Sequence, residues 1–320
     1  MTSSLPGAAR DCFARFITTE YTTVGARQQP ITWPVTPYYR DGAPTIDVTT
    51  GLGYPKKADD AKRHPSVALL FSDPTGSGLA EPAQVLVQGT AEVDDRNLDA
   101  NRERYFRESG EKLPKTKEMH PPKPVRSLLG WYYTRIYVHV RPERVFIWPR
   151  GDIGAEPEIH GAHLEEVRSG HSEEPPEDHG RAQSGPIAWD ERLERVADHE
   201  TAVISWLAPD GFPLAVRLPV RVDRDAQAIR LEREPAGLPL LEGRACLTVH
   251  RHAPDFAWQT NFQVRGTLAR DEDGWRLEPR KLVGGFELPP GGALSVFKIF
   301  MSRTIPYARR ARRRMKESAG

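Results

Sequence analysis

Val87-Gln88-Gly89-Thr90-Ala91 recurs in this chain as Val264-Arg265-Gly266-Thr267-Leu268. The sequence around it repeats as well. Ile31-Thr32-Trp33-Pro34-Val35-Thr36-Pro37 corresponds to Pro213-Leu214-Ala215-Val216-Arg217-Leu218-Pro219. Val140-Arg141-Pro142-Glu143-Arg144-Val145 corresponds to Leu277-Glu278-Pro279-Arg280-Lys281-Leu282. Three pairs in one order mark an internal duplication. Short β-type segments between Gly, Pro and Asp turns fill both copies, among them Thr45–Thr50, Val67–Ser72, Gln84–Val93, Tyr137–Val140, Val145–Trp148, Ala202–Leu207, Ala228–Glu232 and Ala245–His250. Strands at this density predict barrels or sandwiches. Helical patterns are confined to Ala8–Phe16, Ala58–Arg63, Asn97–Glu108, Asp190–Asp198 and the stretch from Val296. A polar insert of about Asp95–Arg135 lengthens the first copy.

Between the copies, Arg150–Pro186 is rich in Gly, Pro, Glu and His and has little apolar periodicity. It reads as an acidic flexible linker, because it cannot bury enough surface to offset its chain entropy. Its histidines, His160, His163, His171 and His179, are read as solvated rather than as a metal site. The expected organisation is residues 1–150, a linker over 151–186, a second unit over 187–290 and a basic C-terminal helix over 291–320. With 45 basic and 44 acidic residues the net charge is +1, which gives no global argument for a nucleic-acid or membrane partner. The arginines from Arg309 onward read as a solvated helix end favoured by the helix dipole. The two cysteines, Cys12 and Cys246, share no ligand-like spacing, and no apolar run approaches the roughly 20 residues that span a bilayer. The expectation is a cytoplasmic protein without a membrane span.

Chemistry concentrates in Val48-Thr49-Thr50-Gly51-Leu52-Gly53-Tyr54-Pro55-Lys56-Lys57-Ala58. This reads as a strand ending in two hydroxyls, a glycine-bearing turn, and two lysines opening a short helix. Hydroxyls, unpaired helix N-terminal N–H groups and ammonium groups at one strand end suit a phosphate. An ordinary solvated turn has the same pattern. The duplication bears on the choice, because the aligned stretch Arg233-Glu234-Pro235-Ala236-Gly237 has no lysine pair. The barrel therefore does not require Lys56 and Lys57, and only the first copy is equipped to hold a phosphate.

From the N-terminal helix through Val48-Thr49-Thr50, Lys56-Lys57-Ala58, Pro65-x-Val67 and Gln84–Gly89, the chain resembles the flavin-binding split β-barrels of the pyridoxamine 5′-phosphate oxidase superfamily. That group includes deazaflavin-dependent reductases. The resemblance covers roughly Ala8–Arg150. It implies a mainly β fold of two tandem split barrels with a few short helices, the second copy degenerate. It further implies that Lys56 and Lys57 hold a cofactor phosphate and that Thr49 and Thr50 face the ring system or ribityl chain. Gln84 would hydrogen-bond from the neighbouring strand, with Trp33, Pro34 and Val35 nearest the ring. Lys56 stands where the family has arginine, and His64 where it has asparagine. Family sites usually form between two barrels of a homodimer, which one chain of two barrels could supply as a monomeric pseudo-dimer.

The function implied is a flavin-dependent oxidoreductase passing hydride to or from a small-molecule substrate. FMN is the first choice of cofactor and the deazaflavin coenzyme (F-420) the alternative. The latter needs an additional cationic groove, for which Lys62, Arg63 and the basic residues of the insert are candidates. A different class of reading is a non-catalytic module that binds a cofactor, haem or another tetrapyrrole. His139, His250 and His252 read as ordinary polar strand residues, and Trp131, Tyr132 and Tyr133 as core more than as cover for a ligand.

Overall fold

In the computed structural model the described residues are 5–115, 129–161, 187, 189–285, 287–288, 302 and 304–315. The fold is mainly β, in two units built to one plan. The first carries α1 (Gly7–Arg15), β1 (Thr19–Val24), β2 (Pro30–Val35), β3 (Ile46–Gly51), α2 (Lys56–Arg63), β4 (Ser66–Phe71), β5 (Gln84–Asp94), α3 (Leu98–Lys112) and β6 (Arg135–Trp148). Its strands run β2-β1-β4-β5-β6-β3, with β7 (Glu158–Gly161) added alongside β6. The second unit has β8 (Thr201–Leu207), β9 (Pro213–Asp223), β10 (Ala228–Leu231), β11 (Gly243–His252), β12 (Gln259–Asp271) and β13 (Gly274–Gly284). Its order, β9-β8-β11-β12-β13-β10, repeats that of β1 to β6 strand for strand.

The repeated sequence marks a repeated irregularity. Each copy shifts register at its glycine, between Gln88 and Gly89 and between Arg265 and Gly266. Gly89 then faces Pro142, and Gly266 faces Pro279. A Cβ on Gly89 would strike the Arg141 carbonyl, and one on Gly266 the Glu278 carbonyl. Proline lacks the N–H that a ladder needs, so it sits where the bulge has interrupted the ladder. This is why Tyr137–Val140 and Val145–Trp148 are one strand rather than two.

The copies differ in closure. Residues 224–227 form a tight turn that lets β9 pair with β10, so the second barrel is closed. In the first, the longer connection through Pro37 and Pro44 leaves β2 and β3 unpaired, bridged only at Tyr38 and Asp47. It is thus the first copy that is split open, while the second copy is a complete barrel. Residues 151–161, where the linker was expected to begin, contribute β7 and the buried Ile153. His160 lies in β7, whereas His163, His171 and His179 lie outside the described residues.

The two units share a deep seam. Along β4, Val67, Leu69 and Phe71 fill the first barrel while Ala68 and Leu70 join the core of the second. Leu86, Phe146 and Trp148 also turn toward the second barrel. A strand buried on both faces has no polar alternation, which accounts for the continuous run Val67–Phe71. The seam is reciprocal. β2 packs on β8, β11 and β12, and its counterpart β9 packs on β1, β4 and β5. Gln263 and Thr248 donate to the Thr32 carbonyl at 2.9 and 3.1 Å, and Gln88 donates to the Pro213 carbonyl at 2.9 Å.

One ion cluster crosses this seam. Glu20 on β1 is fully buried and accepts from Arg217 Nη2 at 2.9 Å, from Ser72 Oγ at 2.9 Å and from His250 Nε2 at 2.7 Å. Burial alone would raise its carboxyl, but the His250 hydrogen bond and the Arg217 charge outweigh it and hold the group below its ordinary range. A carboxylate depressed in this way stabilises the fold fully above the unfolded value and loses that contribution as pH falls through the folded one. Glu20→Gln leaves the largely buried Arg217 without the carboxylate it pairs with and is expected to cost about 3 kcal/mol in urea unfolding at neutral pH. The loss of stability below about pH 4.5 is expected to be shallower in the variant than in the wild type.

Candidate functional site

The split in the first barrel opens onto a cleft of about 330 Å³ at the seam. Trp33, Pro34 and Val35 of β2 form one wall, with Thr49 of β3, Tyr54 of the turn and Lys56 and Lys57 of α2 at one end. Tyr105 and Ser109 of α3, Trp131 and Tyr132 of the short helix Gly130–Tyr133, and Arg135 close the side. The second unit supplies Phe256, Gln259, Asn261, Gly284 and Gly285, and the C-terminal helix supplies Tyr307. The size is that of a small-molecule site.

Six of the eight residues singled out from sequence therefore line one cleft: Trp33, Pro34, Val35, Thr49, Lys56 and Lys57. Thr50 points elsewhere, its Oγ1 donating to the Tyr54 carbonyl at 2.9 Å and tying the turn to the strand end. Gln84 also lies outside the lining. It is buried opposite Trp148, with Nε2 unpartnered. Counting back from the Val87/Val264 pair, its counterpart in the second copy is Asn261, which does line the cleft. In a pseudo-two-fold assembly the matching positions of two copies fall at two different places, which separates Gln84 from Asn261.

The two lysines part company. The Lys56 ammonium is held by both carboxylate oxygens of Asp60, at 2.9 and 2.8 Å. Lys57 has no carboxylate within ion-pair distance among the described residues, and its ammonium lies 5.6 Å from the centre of the Tyr54 ring. Burial, with help from the Arg135 charge, pushes Lys57 down to about 8. The first bonds of α2 run from Ala58 and Asp59 to the Pro55 carbonyl, so the N–H groups of Lys56 and Lys57 precede the helical ladder. Lys62 pairs with Asp95 and Arg63 with Asp60, so neither extends the cleft. Among the described residues, no aspartate or glutamate lines it.

The C-terminal helix (residues 304–315) returns to this end of the first unit. Thr304 accepts from Trp131 Nε1 at 3.1 Å, and Tyr307 stacks on Trp131 with centroids 5.1 Å apart. A Cβ on Gly53 would meet Tyr307, so this glycine admits the helix. Arg314 bonds Asp59 and Asp95, which makes part of the basic tail structural. Trp131 and Tyr133 belong to the core, while Trp131 and Tyr132 also face the cleft. Phe256 lines the cleft with φ at 60°, a left-handed conformation that costs a non-glycine residue on the order of 1 kcal/mol. Tyr38 adjoins a neighbouring cleft of about 390 Å³ bearing Arg40, Arg107 and Lys112. His139 is bound to Asp47 at 2.9 Å, and His250 to the seam cluster.

No protein-family model matches the chain, and no curated protein matches it. Solved structures do align with about half of it. A putative pyridoxamine 5′-phosphate oxidase of Listeria innocua is 16% identical, covering 43% of this chain and 94% of its own, with a TM-score of 0.31. A pyridoxamine 5′-phosphate oxidase-related, FMN-binding protein of Nostoc punctiforme is 15% identical, covering 50% and 99%, with a TM-score of 0.33. An F420 reductase is 16% identical, covering 44% and 98%, with a TM-score of 0.33. What the cleft can hold follows from its own residues.

Lys57 should titrate near pH 8 when followed by NMR of reductively methylated protein. Because an anion beside an ammonium favours its charged form, saturating inorganic phosphate should raise that value, and Lys57→Met should remove the signal. An unchanged titration with phosphate would place the ammonium away from any anion site.

Proposed function

We propose that the inter-barrel cleft binds a flavin-type cofactor and that the protein is an oxidoreductase acting on a small organic substrate. The observation carrying this reading is that Trp33, Pro34, Val35, Thr49 and Lys57 share one cleft lined, among the described residues, by cations and by no carboxylate. The fit rests on the donor set. Lys57 and the N–H groups opening α2 suit a phosphate, β2 and the aromatic side chains suit a flat ring, and Gln259 and Asn261 suit its polar edge. A flavin or deazaflavin bound there supplies hydride transfer. The chain's own residues bind and orient the ring and exclude water from it. Lys56 contributes field rather than contact, because Asp60 holds its ammonium.

FMN remains the first choice. The deazaflavin coenzyme has one further feature to draw on, the neighbouring cleft past Tyr38, where Arg40, Arg107 and Lys112 would have to outweigh Asp47, Glu108 and Glu111 to receive an anionic extension. Fluorescence titration of purified protein with each cofactor separates the two. Lys57→Ala should weaken binding of the preferred one by about 10- to 100-fold, and Lys56→Ala by clearly less. Failure of the wild type to bind either cofactor would sink the proposal, and equal effects of the two substitutions would refute the division of roles.

A further inference from the structure

The outward face of the C-terminal helix has no part in the cofactor reading. The chain as a whole carries a net charge of +1, yet five arginines and no acidic residue stand between Thr304 and Met315. Buried Thr304 and Ala311, with Tyr307 stacked on Trp131, mark the inner side of the helix. At about 3.6 residues per turn, Ile305, Arg309 and Arg312 fall together on the opposite side, with Arg313 beside them. All four are exposed.

The acids at this end of the molecule are already committed. Arg314 bonds Asp59 and Asp95, Lys62 shares Asp95, and Lys56 and Arg63 both take Asp60. Arg310 turns to the Gly53 carbonyl at 3.5 Å and to the Tyr307 ring. Arg309 and Arg312 have no carboxylate within ion-pair distance among the described residues. Like charges gathered on one side of a helix repel one another, and a flat anionic partner relieves that repulsion.

The apolar residues on this helix select the partner. Ile305 is 66% and Met315 44% exposed, and they are the two exposed large apolar side chains among the described residues. They stand at the two ends of the arginine row. The phosphates of a nucleic acid engage arginines but give Ile305 and Met315 nothing to pack on. An anionic bilayer takes both, because arginines meet the headgroups while apolar side chains enter the acyl boundary. Ile305 to Met315 spans about 15 Å, so the whole row can touch a flat surface at once.

We infer that the outward face of the C-terminal helix docks the protein on an anionic lipid bilayer, with Arg309 and Arg312 on the headgroups and Ile305 at the acyl boundary. The inner side of the same helix supplies Tyr307 to the cleft, so docking holds the cleft beside the bilayer. Docking does not rest on the flavin reading and is measured without a cofactor.

The test is cosedimentation of the full chain with vesicles of equal parts phosphatidylglycerol and phosphatidylcholine, against vesicles of phosphatidylcholine alone. At low salt the protein should pellet with the anionic vesicles and stay in solution with the neutral ones. Arg309→Gln/Arg312→Gln should lower the partition coefficient about ten-fold or more, whereas Arg309→Lys/Arg312→Lys should keep most of it. Ile305→Ser should lower it about three-fold or more without changing its salt dependence. All three positions are exposed, so these variants should keep the wild-type thermal midpoint. Should one of them fold poorly, the wild-type comparison of the two vesicles and the lysine pair decide. Arg192→Gln/Arg221→Gln, which removes two exposed arginines elsewhere, should have little effect. An equal loss there would reduce the effect to net charge and overturn the inference. So would equal sedimentation with both vesicles, or sedimentation with neither. Tighter binding of duplex DNA than of anionic vesicles, unchanged by Ile305→Ser, would assign the face to nucleic acid instead.

Discussion

The reciprocal seam between the barrels is the constraint on which the rest of the molecule depends. β2 is an edge strand of an open sheet, and an unpaired edge exposes a row of N–H and C=O groups. The second barrel covers that edge, with Gln263 and Thr248 both reaching the Thr32 carbonyl. Apolar side chains on the outer faces of β4, β5 and β6 then pass into the neighbouring core. The cost is a charge cluster at the seam, where the buried Glu20 is met by Arg217 and His250. Remove one member and the others are stranded in a poorly solvated place.

That arrangement also explains why one chain has one equipped cleft. Two copies related by a pseudo-two-fold define two equivalent places, as two subunits do in an isologous dimer. At the first, the turn keeps Lys57 and the barrel stays open. At the second, the turn Arg233–Gly237 has lost its lysines, and residues after β6 lie against it. Ala236 N–H donates to the Ile153 carbonyl, and a Cβ on Gly237 would strike Pro157. Ile153 shares a core with Leu238 and Leu240. The second place has become packing.

Much of this was legible in the sequence, because the duplication carries its own physical marker. The Gly-Thr/Pro pairing recurs wherever a bulge must admit a carbonyl against a bare Cα, so Gly89 with Pro142 and Gly266 with Pro279 announce the same corner twice. The lysine turn was legible by contrast with its degraded copy. What the sequence did not reveal is long-range. The Lys56–Asp60 pair is the exception, an i,i+4 contact within α2 that the spacing already allows. Arg135 is brought to Tyr105 and Tyr132 by the packing of the insert, and the sequence gives no spacing rule for that. Asn261 could have been found from Gln84 through the repeat, but only once the pseudo-two-fold is known to send matching positions to different clefts. β7 escaped because Glu158–Gly161 has no apolar alternation and gains its place from the exposed edge of β6.

The central claim is that one cleft per chain is competent and that both barrels build it. The most direct measurement is the stoichiometry of tightly bound flavin, from the visible absorbance of the protein after saturation and desalting against its amino-acid content. The account predicts one flavin per chain whether the protein is a monomer or a dimer in solution. Two per chain would show that the second place has kept its function, and none would contradict the assignment of the cleft.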